Sequence, residues 1–236
     1  MQKLMGHMRC AMEHYNMIAG GDKIAVGLSG GKDSIAMLAA LARLRGYYPE
    51  KFEITAITLD PCFNGVETDY EPLREFCRAN GIEHIIRRTQ IGAVVFENRR
   101  EKNPCSLCAR MRRGALHDLA KAAGCDKLAL GHHLDDAAET FLMNLLNGGR
   151  IGSFSPVTYL SRKDITVIRP MIFCRESDAK RVVRRENLPV VKNRCPVDGA
   201  TERQDVKELL NSLEKKYGDI RGKILTALQN GSIDGY

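Results

Sequence analysis

Apolar positions along the chain follow two alternating rhythms. Short apolar, β-branched runs occur at 23–28, 52–59, 84–88, 126–131 and 167–169, and read as strands. Between and after them, apolar residues recur every three to four positions at 33–45, 70–80, 104–123, 134–146, 176–186 and 202–213, which predicts helices. Gly46, Gly81, Gly124 and the pair Gly148-Gly149 stop the first four of these. A helix-like lead-in occupies 1–19, and a helical tail follows 213. Strands alternating with helices predict an α/β chain built on a parallel, doubly wound, five-stranded sheet with helices added at both termini. The expected divisions are a lead-in at 1–21, a main domain at 22–190, and a C-terminal helical extension at 191–236 that brings Cys195.

In such sheets ligands bind beyond the carboxyl ends of the strands. The first strand runs into Gly27-Leu28-Ser29-Gly30-Gly31-Lys32-Asp33-Ser34, and a helical pattern follows at once. A glycine-rich turn between strand and helix is a phosphate cradle, because glycines admit oxygens close to the backbone and free amides of the helix start point at the anion. Lys32 adds a mobile positive charge, and Ser29 and Ser34 add hydroxyls. The spacing is not G-x-x-x-x-G-K-[ST]: Val26 stands where the first glycine belongs, and Asp33 follows Lys32. Nor is it the G-x-G-x-x-G of dinucleotide folds.

The fourth strand ends on Gly131-His132-His133-Leu134-Asp135-Asp136. Asp135 is expected to cap the following helix, and Asp136 to be the functional carboxylate, able to hold the Mg²⁺ that phosphate chemistry uses. His132 and His133 are candidate zinc ligands, but adjacent histidines usually point apart.

Charge narrows the partners. The chain carries a net charge of +7. Arg99, Arg100, Lys102, Arg110, Arg112 and Arg113 crowd one segment, Lys180, Arg181, Arg184 and Arg185 a second, and Lys192 with Arg194 a third. Such clusters suit a polyphosphate partner such as RNA or a set of solvated helix faces. Tryptophan is absent and aromatics make up 6%, so extensive base stacking is not expected. No apolar run approaches a membrane span, and no signal-peptide core stands near Met1. A cytoplasmic protein with reduced thiols is the expectation.

Eight cysteines therefore point to metal or catalysis before disulfides. Cys105 and Cys108 open a predicted helix at a chelating spacing, and Cys195-Pro196-Val197-Asp198 has a cysteine first and aspartate where a second would stand. Three thiolates suit a [4Fe–4S] cluster with one iron left open for substrate, rather than an electron carrier with four. Zinc with Asp198 or a histidine as fourth ligand, a redox dithiol, and two ordinary core thiols are the competing readings.

Taken together, the blocks Ser29-Gly-Gly-Lys-Asp-Ser34, Cys105-Ser-Leu-Cys-Ala-Arg-Met-Arg-Arg-Gly114, Ala129-Leu-Gly-His-His-Leu-Asp-Asp136 and Ile168-Arg-Pro-Met-Ile-Phe-Cys-Arg-Glu176 resemble the tRNA 2-thiocytidine synthetase family of PP-loop ATP-pyrophosphatases. The likeness spans about 22–229 and implies the adenine nucleotide α-hydrolase-like fold. It implies ATP, Mg²⁺ and a [4Fe–4S] cluster as cofactors, tRNA as substrate, an external sulfur donor, and a homodimer. Carried onto this sequence, Cys105, Cys108 and Cys195 would hold the cluster. Ser29, Gly30, Gly31, Lys32, Asp33 and Ser34 would contact ATP, with Leu28, Thr58 and Asp60 near the adenosine and Gly131 near the α-phosphate. Asp33 or Asp136 would hold Mg²⁺, and Asp198 departs from a second Cys-x-x-Cys carried by many members.

The implied reaction converts the C2 oxygen of an anticodon-loop cytidine into an AMP ester, with pyrophosphate leaving, and then replaces it by sulfur. Lys32 and the loop amides would stabilise phosphate charge. Arg112 stands four residues beyond Cys108, on the same helical face, and is the candidate to neutralise the intermediate or to contact tRNA phosphate. Cys10, Cys62, Cys77, Cys125 and Cys174 have no role in this reading. The alternatives are a uridine 2-thiolase of the same superfamily and a zinc-stabilised RNA-binding module without catalysis.

Overall fold

A computed structural model describes residues 1–98, 104–191, 195–196 and 202–236. Helix α1 (Gln2–His14) leads into strand β1 (Lys23–Gly27), followed by α2 (Lys32–Leu44), β2 (Glu53–Asp60), α3 (Glu71–Ala79), β3 (Glu83–Arg88) and a single turn, α4 (Ile91–Ala93). After that come α5 (Pro104–Ala122), β4 (Lys127–Ala129), α6 (Leu134–Gly148), β5 (Val157–Leu160), β6 (Ile165–Ile168), α7 (Glu176–Arg185), α8 (Glu202–Tyr217) and α9 (Ile220–Asn230).

The sheet order is β3-β2-β1-β4-β6-β5. The first five strands in that order are parallel, and β5 runs antiparallel to β6. The sheet is thus six-stranded rather than the five-stranded, wholly parallel sheet expected. The missed strand has four residues, lies at the edge, and is only partly buried, with Tyr159 exposed, so it lacks the continuous apolar run that marks the inner strands.

Alternation along the inner strands divides the core. Ile24 and Val26 of β1, with Ile54 and Ala56 of β2, face α1, α2 and α7, whereas Ala25 and Ile57 face α5. Helix α2 is buried over most of its length, from Ser34 to Leu41 and again at Leu44, because it lies between the sheet and the helices α1 and α7. Leu4, Met8, Ala11 and Met12 seat α1 in that core, each large side chain contributing about 1.5–3 kcal/mol. Helices α8 and α9 pack on α6 through Val206, Leu210, Ile220 and Ile224 against Ala138, Leu142 and Met143. Among the described residues no helix is long and apolar enough to cross a membrane. The consequence for function is that the ends of β1, β2 and β4 open onto one edge, under the first half of α5.

Candidate functional site

The phosphate loop is built by its own hydrogen bonds. Leu28 N donates to Ile57 O at 2.8 Å, extending the β1–β2 ladder by one residue. Ser34 Oγ donates to Gly31 O at 2.9 Å, so its single proton is used. Ser29 is therefore the donor in the 3.1 Å Ser29–Ser34 hydroxyl pair, and Ser29 Oγ also accepts from Gly31 N at 3.3 Å. Gly30 holds φ +85°, a left-handed value that favours glycine. Gly31 caps α2 without a side-chain acceptor, which leaves the first-turn amides for an anion.

Lys32 is not loose. Its Nζ lies 2.8 Å from Asp33 Oδ2 and 3.0 Å from Glu176 Oε1. Burial pulls its pKa down, but the bonds and charges of Asp33 and Glu176 outweigh burial and raise it, so the side chain stays an ammonium. Glu176 ends the fourth sequence block and opens α7. It takes Lys32 and Lys180 on Oε1 and Lys207 on Oε2, at 3.0, 3.1 and 2.8 Å. Burial pushes its carboxyl up, yet the bonds from Lys207, Lys180 and Lys32 carry it well below the usual carboxylate range.

The second motif abuts the first. A Cβ on Gly131 would lie 3.2 Å from both Asp33 C and Ser34 N, so a side chain here would press the start of α2 back by a few tenths of an ångström. The cap of α6 is His133, not Asp135: His133 Nδ1 accepts from Asp136 N at 3.2 Å, and Asp136 Oδ2 accepts from His133 N at 2.9 Å. Imidazole can serve here because its unprotonated nitrogen is an acceptor. Asp135 instead accepts from Glu176 N at 2.8 Å and lies 3.3 Å from Arg221 Nε. Asp33 Oδ1 is buried without a hydrogen bond, 3.8 Å from His133 Nε2. His132 turns away from His133 and packs against Phe154, its ring held neutral with a pKa near about 4 by burial first and Arg169 second.

These pieces surround a cavity of about 440 Å³. Leu28, Ser29, Asp33 and Ser34 line one side, Gly131, His132 and Asp136 another, and Arg112, Arg113 and His117 of α5 the roof. Ile57 and Leu59 reach it from β2, whereas Thr58 and Asp60 point to the opposite face and do not line it. Thr58 Oγ1 donates to Leu28 O at 2.7 Å and accepts from His84 Nε2 at 2.8 Å. Asp60 spends its carboxylate on its own loop, accepting from Cys62 N at 3.0 Å and Thr68 N at 2.8 Å.

Helix α5 carries the thiols. Cys105 is exposed and Cys108 buried among Phe63, Ile91 and Val95, with Cys195 packed against the same group. Burial raises the Cys108 pKa; the Arg112 charge and hydrogen bond lower it, and the neighbouring Cys195 and Cys105 raise it further. Cys108 thus has both Cys195 and Cys105 as charge neighbours. Among the described residues no three His, Cys, Asp or Glu side chains converge to hold a single metal ion. A [4Fe–4S] cluster takes each thiolate on a different iron, so it asks for neighbouring rather than convergent sulfurs, and three cysteine thiols are a donor set of that kind. Val191 N donates to Gly30 O at 3.0 Å, which ties the segment leading to Cys195 onto the phosphate loop. Asp198 lies outside the described residues, as do Arg99, Arg100, Lys102, Lys192 and Arg194.

Comparison with known proteins gives a family model for the PP-loop domain matching residues 6–213. The tRNA-cytidine(32) 2-sulfurtransferase of Geobacter sulfurreducens is 37% identical over 97% of this chain and 90% of its own length. That of Geotalea daltonii is 40% identical over 93% and 88%. Among solved structures, the U34-tRNA thiolase NcsA from Methanococcus maripaludis, with its [4Fe-4S] cluster, matches at TM-score 0.78 and 25% identity, over 95% of this chain and 77% of that one. The NH3-dependent NAD synthetase from Campylobacter jejuni, at TM-score 0.51 and 15% identity over 100% of this chain and 96% of its own, shares the fold alone.

Proposed function

Because the chain belongs to the PP-loop family, and within it to the tRNA-cytidine 2-sulfurtransferases, we propose that it replaces the C2 oxygen of an anticodon-loop cytidine in tRNA with sulfur, splitting ATP into AMP and pyrophosphate. The observation that carries this reading is Arg112. One guanidinium both lines the phosphate-loop cavity and brings its charge to the thiol of Cys108, so the activating half and the sulfur half share a wall.

ATP lies with its phosphates on the amides of Ser29 to Ser34 at the start of α2. Lys32 balances charge that builds on the phosphates as the cytosine oxygen attacks the α-phosphorus. Asp33 and Asp136, both on the cavity, would hold Mg²⁺, which helps pyrophosphate leave. The loop beside Gly131 lets the α-phosphate come close to backbone. Leu28, Ile57 and Leu59 supply apolar contact for the adenosine, while Thr58 and Asp60 shape the turns beneath it. Arg112 neutralises the adenylated intermediate next to the thiols. Cys105, Cys108 and Cys195 would hold a [4Fe–4S] cluster, which supplies a coordination place for the incoming sulfur.

Sulfur comes from a separate donor. Exposed Leu145, Leu146 and Ile151 near the end of α6 offer an apolar surface for a homodimer. The place of action is the cytoplasm, where tRNA is met. A second reading, thiolation of a uridine, draws on the likeness to the U34-tRNA thiolase. Nucleoside analysis of tRNA from a deletion strain decides between them: 2-thiocytidine disappears under the first reading, and a thiolated uridine under the second. If every thiolated base persists, both fail.

A further inference from the structure

Both C-terminal helices converge on Glu176. Lys207 of α8 reaches its Oε2 at 2.8 Å, and Oε1 of the same carboxylate receives Lys32 at 3.0 Å. Arg221 of α9, almost wholly buried, lies against Asp135, which in turn accepts the backbone N–H of Glu176. One turn before Lys207, Arg203 binds Glu139 at 3.2 Å and stands 3.9 Å from Asp136 Oδ1. Arg203 and Lys207 are four residues apart, on one face of α8, and each is directed at a carboxylate belonging to the phosphate half.

We infer that Glu176 is a positioning residue that transmits the seating of α8 to Lys32, so that the helix following the Cys195 segment sets where the phosphate-loop ammonium points. This rests on the reading of Lys32 as the group that meets the phosphates of ATP. The argument is one of shared geometry. A carboxylate pulled from one side by Lys207 and backed by Asp135 at its own amide has little freedom to follow Lys32, so Lys32 follows it. Lys180 shares Oε1 but belongs to the same helix as Glu176, and carries no information about α8. The C-terminal extension therefore acts on both halves of the reaction: through Cys195 on the thiols and through Lys207 on the phosphates.

The test uses the full chain and two readouts. The first is the acylation rate of the Lys32 amine by a small amine-reactive ester, followed by mass spectrometry. Glu176→Gln and Lys207→Met should each speed labelling of Lys32 roughly five- to tenfold, the scale of a lost charge-assisted hydrogen bond. Lys207→Arg should restore the wild-type rate, and Lys215→Met, exposed on the same helix, should leave it unchanged. The second is AMP formation: kcat should fall roughly tenfold in either variant, with KM for ATP within about twofold. The double variant should match Glu176→Gln alone, because Lys207 acts through that carboxylate; a general loosening of α8 would add the two effects and would not be repaired by arginine. Unchanged Lys32 labelling in Lys207→Met, or additive effects in the double variant, overturns the inference. Should the wild-type chain form no AMP, the functional reading fails, while the Lys32 labelling still decides this link.

Discussion

Arg112 follows Cys108 by one turn on α5, sets a positive charge beside a thiol that burial makes harder to ionise, and lines the phosphate-loop cavity. A planar guanidinium spreads its donors over a rigid fork that reaches a sulfur on one side and a phosphate on the other, whereas a lysine offers one compact ammonium at a single point. Arg112→Lys should therefore lower thiolation nearly as far as Arg112→Ala, roughly a hundredfold, while iron content and nucleotide binding stay close to wild type. If Arg112→Lys retained most of the activity, a simple charge contact with tRNA phosphate would explain this residue better.

The two halves should fail separately. Cys195→Ser should abolish thiolation and bleach the broad absorption near about 400 nm expected of thiolate-bound iron, with ATP binding intact. Lys32→Ala should keep the colour and lose turnover. Cys77, Cys125 and Cys174 are buried thiols whose pKa values burial raises, so each should tolerate serine with the absorption unchanged. Anaerobically purified protein that is colourless and carries one zinc would remove the cluster from the account.

What the sequence disclosed, and what it hid, follows from the range of the interactions. The phosphate loop and the α5 thiols were legible because each is a contiguous run whose chemistry and flanking periodicity agree. Glu176 was not, because its three lysines come from positions 32, 180 and 207, and no local pattern ties them together. The same holds for Val191 on Gly30, a tether between segments far apart in the chain. Asp135 and Asp136 were read correctly as a helix start, but a histidine took the cap because its ring nitrogen could reach the Asp136 amide. Thr58 and Asp60 were placed by their nearness to a strand end, and strand alternation turned them to the other face.

Stability should fall with acid through His84. Thr58 gives its only proton to Leu28 O, so His84 must donate from Nε2, and its Nδ1 is buried with no partner. A second proton would sit on that unpartnered nitrogen. Burial first, and the Arg74 charge second, push the pKa from 6.5 down to about 4. The unfolded chain thus binds this proton more readily than the folded one between those values. The contribution is complete above about pH 6.5 and is lost as pH drops toward 4. His132 is shifted the same way and adds to the slope. Urea midpoints measured from pH 7.5 to 5 should decline in the wild type and decline less in His84→Gln, whose amide can still donate to Thr58. Parallel curves for the two would show that His84 does not titrate with unfolding.

Gly131→Ala should uncouple folding from nucleotide binding. The added Cβ would stand 3.2 Å from the carbonyl carbon of Asp33 and from the amide of Ser34, both main-chain atoms of the first turn of α2. A flexible side chain could swing aside, but α2 is buried against the sheet on one side and α1 and α7 on the other, so its backbone can yield only at the half-buried N-terminal turn. That turn presents the amides for the phosphates, and a shift of a few tenths of an ångström there should cost about 1–3 kcal/mol, roughly five- to 150-fold in ATP affinity. Gly114 is the control: it lies within α5, where an added Cβ meets nothing within 4 Å. Gly114→Ala should stabilise the chain by about 1 kcal/mol from helix propensity and leave ATP affinity alone. Calorimetric titration with a non-hydrolysable ATP analogue, alongside thermal melts, measures both. Equal ATP affinity in Gly131→Ala and the wild type would mean that this turn does not set the position of the phosphate loop.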